Sequence, residues 1–306
     1  MEAIRIEKVF DDPQVIRALV EHHGPYRALA SYLPVSATRG EREATAARGT
    51  LPWFRSTWAA NGRPLVEGAE LILENPLFRE AASRLFDGAE VTPNTIAINV
   101  NAPMPAGGVH VDIPSFRGAT RDRYPIQLLQ AMGSSGLFEP WRVIEAGAVV
   151  WFYEGPVGEY EYWPDGLSGP KRSVRAPLTN RALVADNDRM YHRIGPIGDA
   201  DATPPRISAS AEIQPAGEGD WAIVENGEVR AAYPDRVIRL SLVWKAEVRD
   251  RELKDVLSLD RIMAIFTTDL RRRSVGFDMP SNPLADAAWL LLLQRTYTDP
   301  ILTTGE

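Results

Sequence analysis

Apolar positions along this chain change period twice, and the changes divide it into three parts. Residues 12–33 carry Val15, Ile16, Leu19 and Val20, then Tyr26, Leu29 and Tyr32. That three-to-four spacing predicts a helix. Residues 40–65 are mixed and read as loop-rich. Residues 66–87 return to helical spacing, with a break before Pro76. From Val91 to about Lys245 the pattern shortens to runs of β-branched and aromatic residues set between Gly, Pro, Asn and Asp clusters. This is the pattern of an antiparallel sandwich or barrel. It predicts strands over 94–101, 108–113, 126–132, 147–153, 158–163, 181–186, 190–195, 206–213, 221–224, 228–233 and 236–247. Asn226-Gly227 marks a tight hairpin between two of them. Helical spacing resumes over 258–273 and 283–297.

The expected fold class is therefore mainly β with flanking α: a double-stranded β-helix, or jelly-roll, with N- and C-terminal helices. The expected organisation is one domain over 1–306. A helical N-terminal support (1–90) and C-terminal helices (248–306) pack on a core of 91–247. Closing such a sheet on itself manages its edges and leaves an interior wide enough for a metal and a small molecule.

Composition narrows the chemistry. With 44% apolar and 25% charged residues the chain is ordinary for a globular protein. A net charge of −7 argues against nucleic acid or an acidic membrane surface as partner. The chain has no cysteine, which excludes disulfides, thiolate metal sites and cysteine nucleophiles. Its N-terminus lacks a signal pattern, and its longest apolar run, Ala287–Leu293, is too short to span a bilayer. A cytoplasmic location is expected, with the oligomeric state left open. No phosphate-binding glycine loop and no Gly-x-Ser-x-Gly elbow is present.

The four histidines carry the sharpest signal. His22 and His23 fall in the first helix and read as packing or surface residues. His110 stands in His110-Val111-Asp112, after the Pro/Gly-rich turn Pro103–Gly108, and His192 follows much later in the predicted β-region. On a strand, His110 and Asp112 would face the same side. Two imidazoles and one carboxylate make the facial triad that holds Fe(II) and leaves the remaining positions open. The same donors also suit other divalent metals.

Several stretches carry a resemblance. They are His110-Val111-Asp112-Ile113-Pro114-Ser115-Phe116-Arg117-Gly118, Ser135-Gly136-Leu137-Phe138, Tyr162-Trp163-Pro164-Asp165-Gly166, and Asp186-Asn187-Asp188 leading to Met190 and His192-Arg193. With a later Arg-x-Ser strand, they resemble the iron(II)/2-oxoglutarate-dependent dioxygenases, their uncharacterised bacterial members in particular. The resemblance covers roughly residues 91–247. It implies that His110, Asp112 and His192 bind iron, that 2-oxoglutarate is the cosubstrate, and that O2 is the oxidant. It further implies hydroxylation of a small organic substrate with release of succinate and CO2. A carboxylate at Asp112, where halogenases of the family carry a small residue, argues against halogenation.

The resemblance also asks for a basic residue to hold the far carboxylate of 2-oxoglutarate, a task suited to the planar guanidinium fork. Two Arg-x-Ser segments compete. Arg206-Ile207-Ser208 starts 14 residues after His192, the usual family spacing. Arg239-Leu240-Ser241 lies in the longer, more apolar and last strand. The strand argument favours Arg239 with Ser241, and Arg206 stays open. Asn99 and Asn101 alternate with apolar neighbours and could reach the interior, with Asn101 a candidate cosubstrate contact. Arg117, Arg121 and Arg123 read as a solvated loop, and Tyr160, Tyr162 and Trp163 as packing. Two alternatives remain: a cupin-type metal enzyme that does not use 2-oxoglutarate, and a non-catalytic jelly-roll binding protein.

Overall fold

A computed structural model describes residues 2–32, 50–198, 204–217, 219–249, 252 and 254–297. Fifteen strands are present among them. The first four are β1 (Ile4–Ile6), β2 (Tyr26–Ala28), β3 (Trp53–Ala60) and β4 (Arg63–Pro64). The core begins with β5 (Glu90–Asn101), β6 (Ser115–Phe116) and β7 (Arg142–Phe152). It continues with β8 (Tyr160–Trp163), β9 (Arg172–Val174), β10 (Arg181–Ala185) and β11 (Tyr191–Ile194). Last come β12 (Glu212–Gly217), β13 (Asp220–Glu225), β14 (Glu228–Pro234) and β15 (Arg239–Arg249). The helices are α1 (Pro13–His22), α2 (Glu70–Leu73), α3 (Pro76–Leu85), α4 (Ile126–Ser135), α5 (Leu259–Arg272) and α6 (Ala287–Tyr297). No helix among the described residues is long and apolar enough to cross a membrane.

The large sheet runs β1-β10-β7-β15-β5-β3-β2-β12-β13-β14, with antiparallel pairings throughout its described ladders. A second sheet has the order β11-β8-β9. The two meet across an apolar interior. Val149, Trp151, Leu183 and Ala185 of the large sheet pack with Tyr160, Tyr162, Val174 and Ile194 of the small one. This is the facing-sheet layout of a double-stranded β-helix. Alternation assigns Arg239, Ser241 and Val243 to the inner face and Leu240, Leu242 and Trp244 to the outer. Trp244 confirms the outer assignment: its ring lies 5.4 Å from Phe78 of α3, and its indole N–H donates to the Leu73 carbonyl of α2.

The described residues fall into two compact units. One holds those up to Val111 and those from Glu145 to residue 249; it contains both sheets' interior. The other holds Asp112–Ile144 and the described residues from 252 on. Its core joins α4, α5 and α6 through Leu128, Leu129, Phe138, Phe266 and Leu293.

Local expectations are corrected at several points, among them the strand expected over 206–213, which begins only at Glu212 after an isolated bridge at Ile207. The first 90 residues are not a helical support alone, because β1, β2 and β3 extend the large sheet by pairing with β10, β12 and β5. These partners lie far along the chain, so no local pattern announces them. The helix expected over 12–33 ends at His22: Gly24-Pro25 follows, and the chain turns into β2. Residues 126–132 form α4 instead of a strand. Buried Leu128, Leu129, Ala131 and Met132 lie on one helical face, and Gly136 ends the helix at φ 69°. A strand would have sent adjacent Leu128 and Leu129 to opposite sides. Residues 108–113 form no ladder. Pro114 has no N–H to give, and only His110 pairs, in a single bridge with His192. Of the 40–65 stretch, 40–49 lies outside the described residues, while 53–60 is β3.

Candidate metal and cosubstrate site

His110 and His192 are joined through their main chains. The His110 amide donates to the His192 carbonyl at 3.0 Å, and the His192 amide returns the bond at 2.8 Å. Their ring centroids are 4.4 Å apart. In each residue Nδ1 lies 2.9 Å from a carbonyl two residues earlier, Gly108 for His110 and Met190 for His192. Those carbonyls accept a hydrogen bond, so each Nδ1 donates, and Nε2 is the nitrogen left for a ligand. Asp112 completes the group: one atom from each of His110, Asp112 and His192 lies within 4.8 Å of the others. The strand alternation expected to align His110 with Asp112 is absent, yet the residues converge, because the one bridge at His110 fixes the segment. Two imidazoles and one carboxylate fit a divalent transition metal with open positions.

His192 is buried, and the Tyr160 ring stacks on it at 5.5 Å with planes 23° apart. Tyr160 in turn lies 5.4 Å from the Trp151 ring. The Arg239 guanidinium sits 6.0 Å from the centroid of Trp151. A continuous wall of side chains therefore runs from the paired histidines to Arg239.

Arg239 is 1% exposed. Its Nε donates to the Gly158 carbonyl at 2.8 Å, while Nη2 is buried with no hydrogen-bond partner. Burial pulls its pKa down to about 10, partly offset by the Tyr153 and Tyr160 hydroxyls, so it remains a cation at neutral pH. Among the described residues no carboxylate pairs with it. An unpaired buried cation costs several kcal/mol, a burden that a bound anion would relieve. The Asn101 Oδ1 and Trp151 Nε1 atoms are also buried and unsatisfied. Asn101 is the cross-strand partner of Arg239, and its amide approaches only the Met104 sulfur, at 3.9 Å. Turning that amide over would put a donor where the unsatisfied Oδ1 now lies. The Tyr153 hydroxyl faces the Gly198 amide without forming a hydrogen bond of normal geometry.

The remaining expected residues distribute clearly. Ser241 is buried beside Asn99 in the β15–β5 register, and the Asn99 side chain accepts from the Trp53 indole at 3.0 Å. Arg206 is exposed, next to an isolated bridge at Ile207. Arg117, Arg121 and Arg123 are exposed. Tyr160 and Tyr162 are buried packing residues, though Tyr160 also seats the distal histidine. His23 packs its ring on Trp58 at 5.1 Å and meets the Glu67 carbonyl, well apart in sequence from the metal group. Sequence reasoning missed Trp151, Tyr153 and Gly158. The alternation Val149-x-Trp151-x-Tyr153 was a readable sign that two aromatics share one strand face.

No family model matches the chain, and no curated protein matches it. Solved structures of 2-oxoglutarate-Fe(II) oxygenases are similar to it at a distance. An oxidoreductase of the 2OG-Fe(II) oxygenase family from Burkholderia pseudomallei shares 14% identity over 83% of this chain and 88% of its own, with a TM-score of 0.43. A prolyl-4-hydroxylase from Pseudomonas putida shares 13% over 81% and 92%, with a TM-score of 0.40. HygX from Streptomyces hygroscopicus, solved with nickel, 2-oxoglutarate and hygromycin B bound, shares 10% over 84% and 88%, with a TM-score of 0.38. Likenesses this remote carry no argument about chemistry, which falls to the side chains.

Proposed function

We propose that the chain is a non-haem Fe(II)- and 2-oxoglutarate-dependent oxygenase that hydroxylates a small organic substrate. The observation that carries this reading is Arg239: a buried cation with an unpaired Nη2, joined by an aromatic wall to a His/Asp/His group. A metal site alone would suit many enzymes. A second site built for an anion, sharing one interior with the metal group, suits a dicarboxylate that chelates at one end and pairs at the other.

His110, Asp112 and His192 would hold the metal, and Arg239 would take the far carboxylate bidentately. Ser241 and Asn101 stand on the same inner face, placed to complete its hydrogen bonds. Trp151 and Tyr160 keep water from the space between. When bound, iron and 2-oxoglutarate supply O2 activation: one oxygen atom enters succinate as CO2 leaves, and the other becomes the substrate's hydroxyl.

The test is anaerobic titration of the protein with Fe(II) and then 2-oxoglutarate, watched for a weak visible charge-transfer band, with succinate measured after air is admitted. The band and succinate are expected together. A band-free protein that binds Fe(II) but not 2-oxoglutarate would favour the cupin-type alternative. A protein that binds neither would favour the non-catalytic one.

A further inference from the structure

Farther along β15 from Arg239, three charged side chains meet on the inner face. The Lys245 Nζ lies 3.5 Å from Glu145 Oε2 and 3.5 Å from Asp188 Oδ1. Their side chains are 16%, 13% and 2% exposed, so the group is largely withdrawn from water. Asp188 belongs to the turn between β10 and β11, where the Met190 and Arg189 amides both bond back to the Asp186 carbonyl. The next residue of consequence is Met190, whose carbonyl accepts the His192 Nδ1 proton. The turn is held from the other side as well, by the Tyr160 hydroxyl donating to Asn187 at 3.2 Å.

We propose that Lys245 is a positioning residue for the distal histidine: its ammonium, seated between Glu145 and Asp188, pins the 186–190 turn and so fixes the Met190 carbonyl that aims His192 at the metal. The idea rests on the metal site proposed above. Two carboxylates drawn to one ammonium are stable together. Without it, two like charges share a poorly solvated space and repel. Asp188 is the member that can move, because it sits in a turn while Glu145 is held in β7. Its displacement would carry Met190 with it and let the His192 ring rotate. Lys245 also lies on the strand that bears Arg239 and Ser241. One strand thus supports both the anion site and the metal ligand.

Co(II) alone is the probe, since its visible bands report coordination geometry without turnover. Affinity and spectrum are measured for the wild type, Lys245→Met, Lys245→Arg and Asp188→Asn, with melting temperatures alongside. Lys245→Met is expected to weaken Co(II) binding about tenfold, the lower end of the effect of losing an outer partner of a ligand, and to alter the bands. Lys245→Arg, which keeps the charge, should restore most of the affinity. If Lys245→Met does not fold, the nearly isosteric Asp188→Asn is expected to show the same weakening. Wild-type Co(II) affinity and bands in Lys245→Met or Asp188→Asn, whatever the melting temperature, would overturn the proposal. So would Lys245→Arg binding as poorly as Lys245→Met. A wild-type protein that takes up no Co(II) would remove the metal site itself, a failure separate from that of Lys245.

Discussion

His110 and His192 hold each other by reciprocal main-chain hydrogen bonds of 3.0 and 2.8 Å while presenting their rings side by side. The bridge depends on backbone atoms alone. The proposed metal donors are therefore positioned by a contact that survives removal of either imidazole.

This separation predicts the behaviour of His110→Ala. The variant should fold, with a loss of about 1 kcal/mol or less in metal-free stability, as for a half-buried side chain outside the core. Its metal affinity should fall by more than the roughly 10–100-fold typical of losing an outer partner. Isothermal titration with a divalent metal and thermal melting of the apoprotein read the two effects separately. Retained affinity would show that the ring is no ligand.

Arg239→Ala and Arg206→Ala decide between the two Arg-x-Ser segments. Removing a buried charged partner costs about 2–5 kcal/mol, which is roughly a thirty- to several-thousand-fold loss of 2-oxoglutarate affinity. That loss is expected for Arg239→Ala, with metal binding kept. Arg206 is exposed, and its removal should change the affinity little. The opposite ranking, measured by 2-oxoglutarate titration of the metal-loaded protein, would restore the 14-residue spacing as the guide.

Much of this was legible in the sequence, for identifiable reasons. The change from helical to strand period located the sheets, because strand alternation and turn residues are local properties. His110, Asp112 and His192 stood out because the chain has only four histidines. Asn101 opposite Arg239 was not legible, since register is set by pairing between strands far apart in the chain. Nor was β3, whose Arg55 and Ser56 interrupt the apolar alternation and whose ladder partners β2 and β5 are not its neighbours in sequence. The α4 segment was misread because a short apolar run fits either period until one asks whether neighbouring leucines can share a face.

Gly158 supplies a third test. It adopts φ +90°, a conformation that L side chains rarely take. An added Cβ would lie 2.8 Å from a Tyr153 ring carbon and 3.3 Å from Arg239 Cδ. The same residue's carbonyl holds the Arg239 Nε. Gly158→Ala should therefore destabilise the protein by about 1–3 kcal/mol, from backbone strain and crowding together. It should also weaken 2-oxoglutarate binding more than metal binding. Equal weakening of both would place Gly158 in general folding and not in seating the arginine.

The last test concerns the second unit, where Asp269 ties α5 to α6. Its carboxylate accepts from Tyr297 at 2.9 Å, from Arg272 Nε at 3.1 Å and from Arg273 Nε at 2.6 Å. Burial raises its pKa, but the hydrogen bonds from Arg273, Arg272 and Tyr297 outweigh that and hold it at about 2. A folded-state pKa below the ordinary 3.8 means that the ionised form is preferred in the fold. The stabilisation is then complete above about pH 4 and is lost as the pH falls toward 2. The two arginines are largely exposed and contribute little. The buried Tyr297 bond to a charged acceptor is the larger part, so Asp269→Ala should cost about 1.5–3 kcal/mol at neutral pH. Melting followed by the near-ultraviolet signal from pH 7 to 2 should show the wild type losing stability below pH 4, with Asp269→Ala showing a shallower decline. Parallel pH profiles for the two proteins would mean that other carboxylates govern the acid response and that Asp269 does not link the helices.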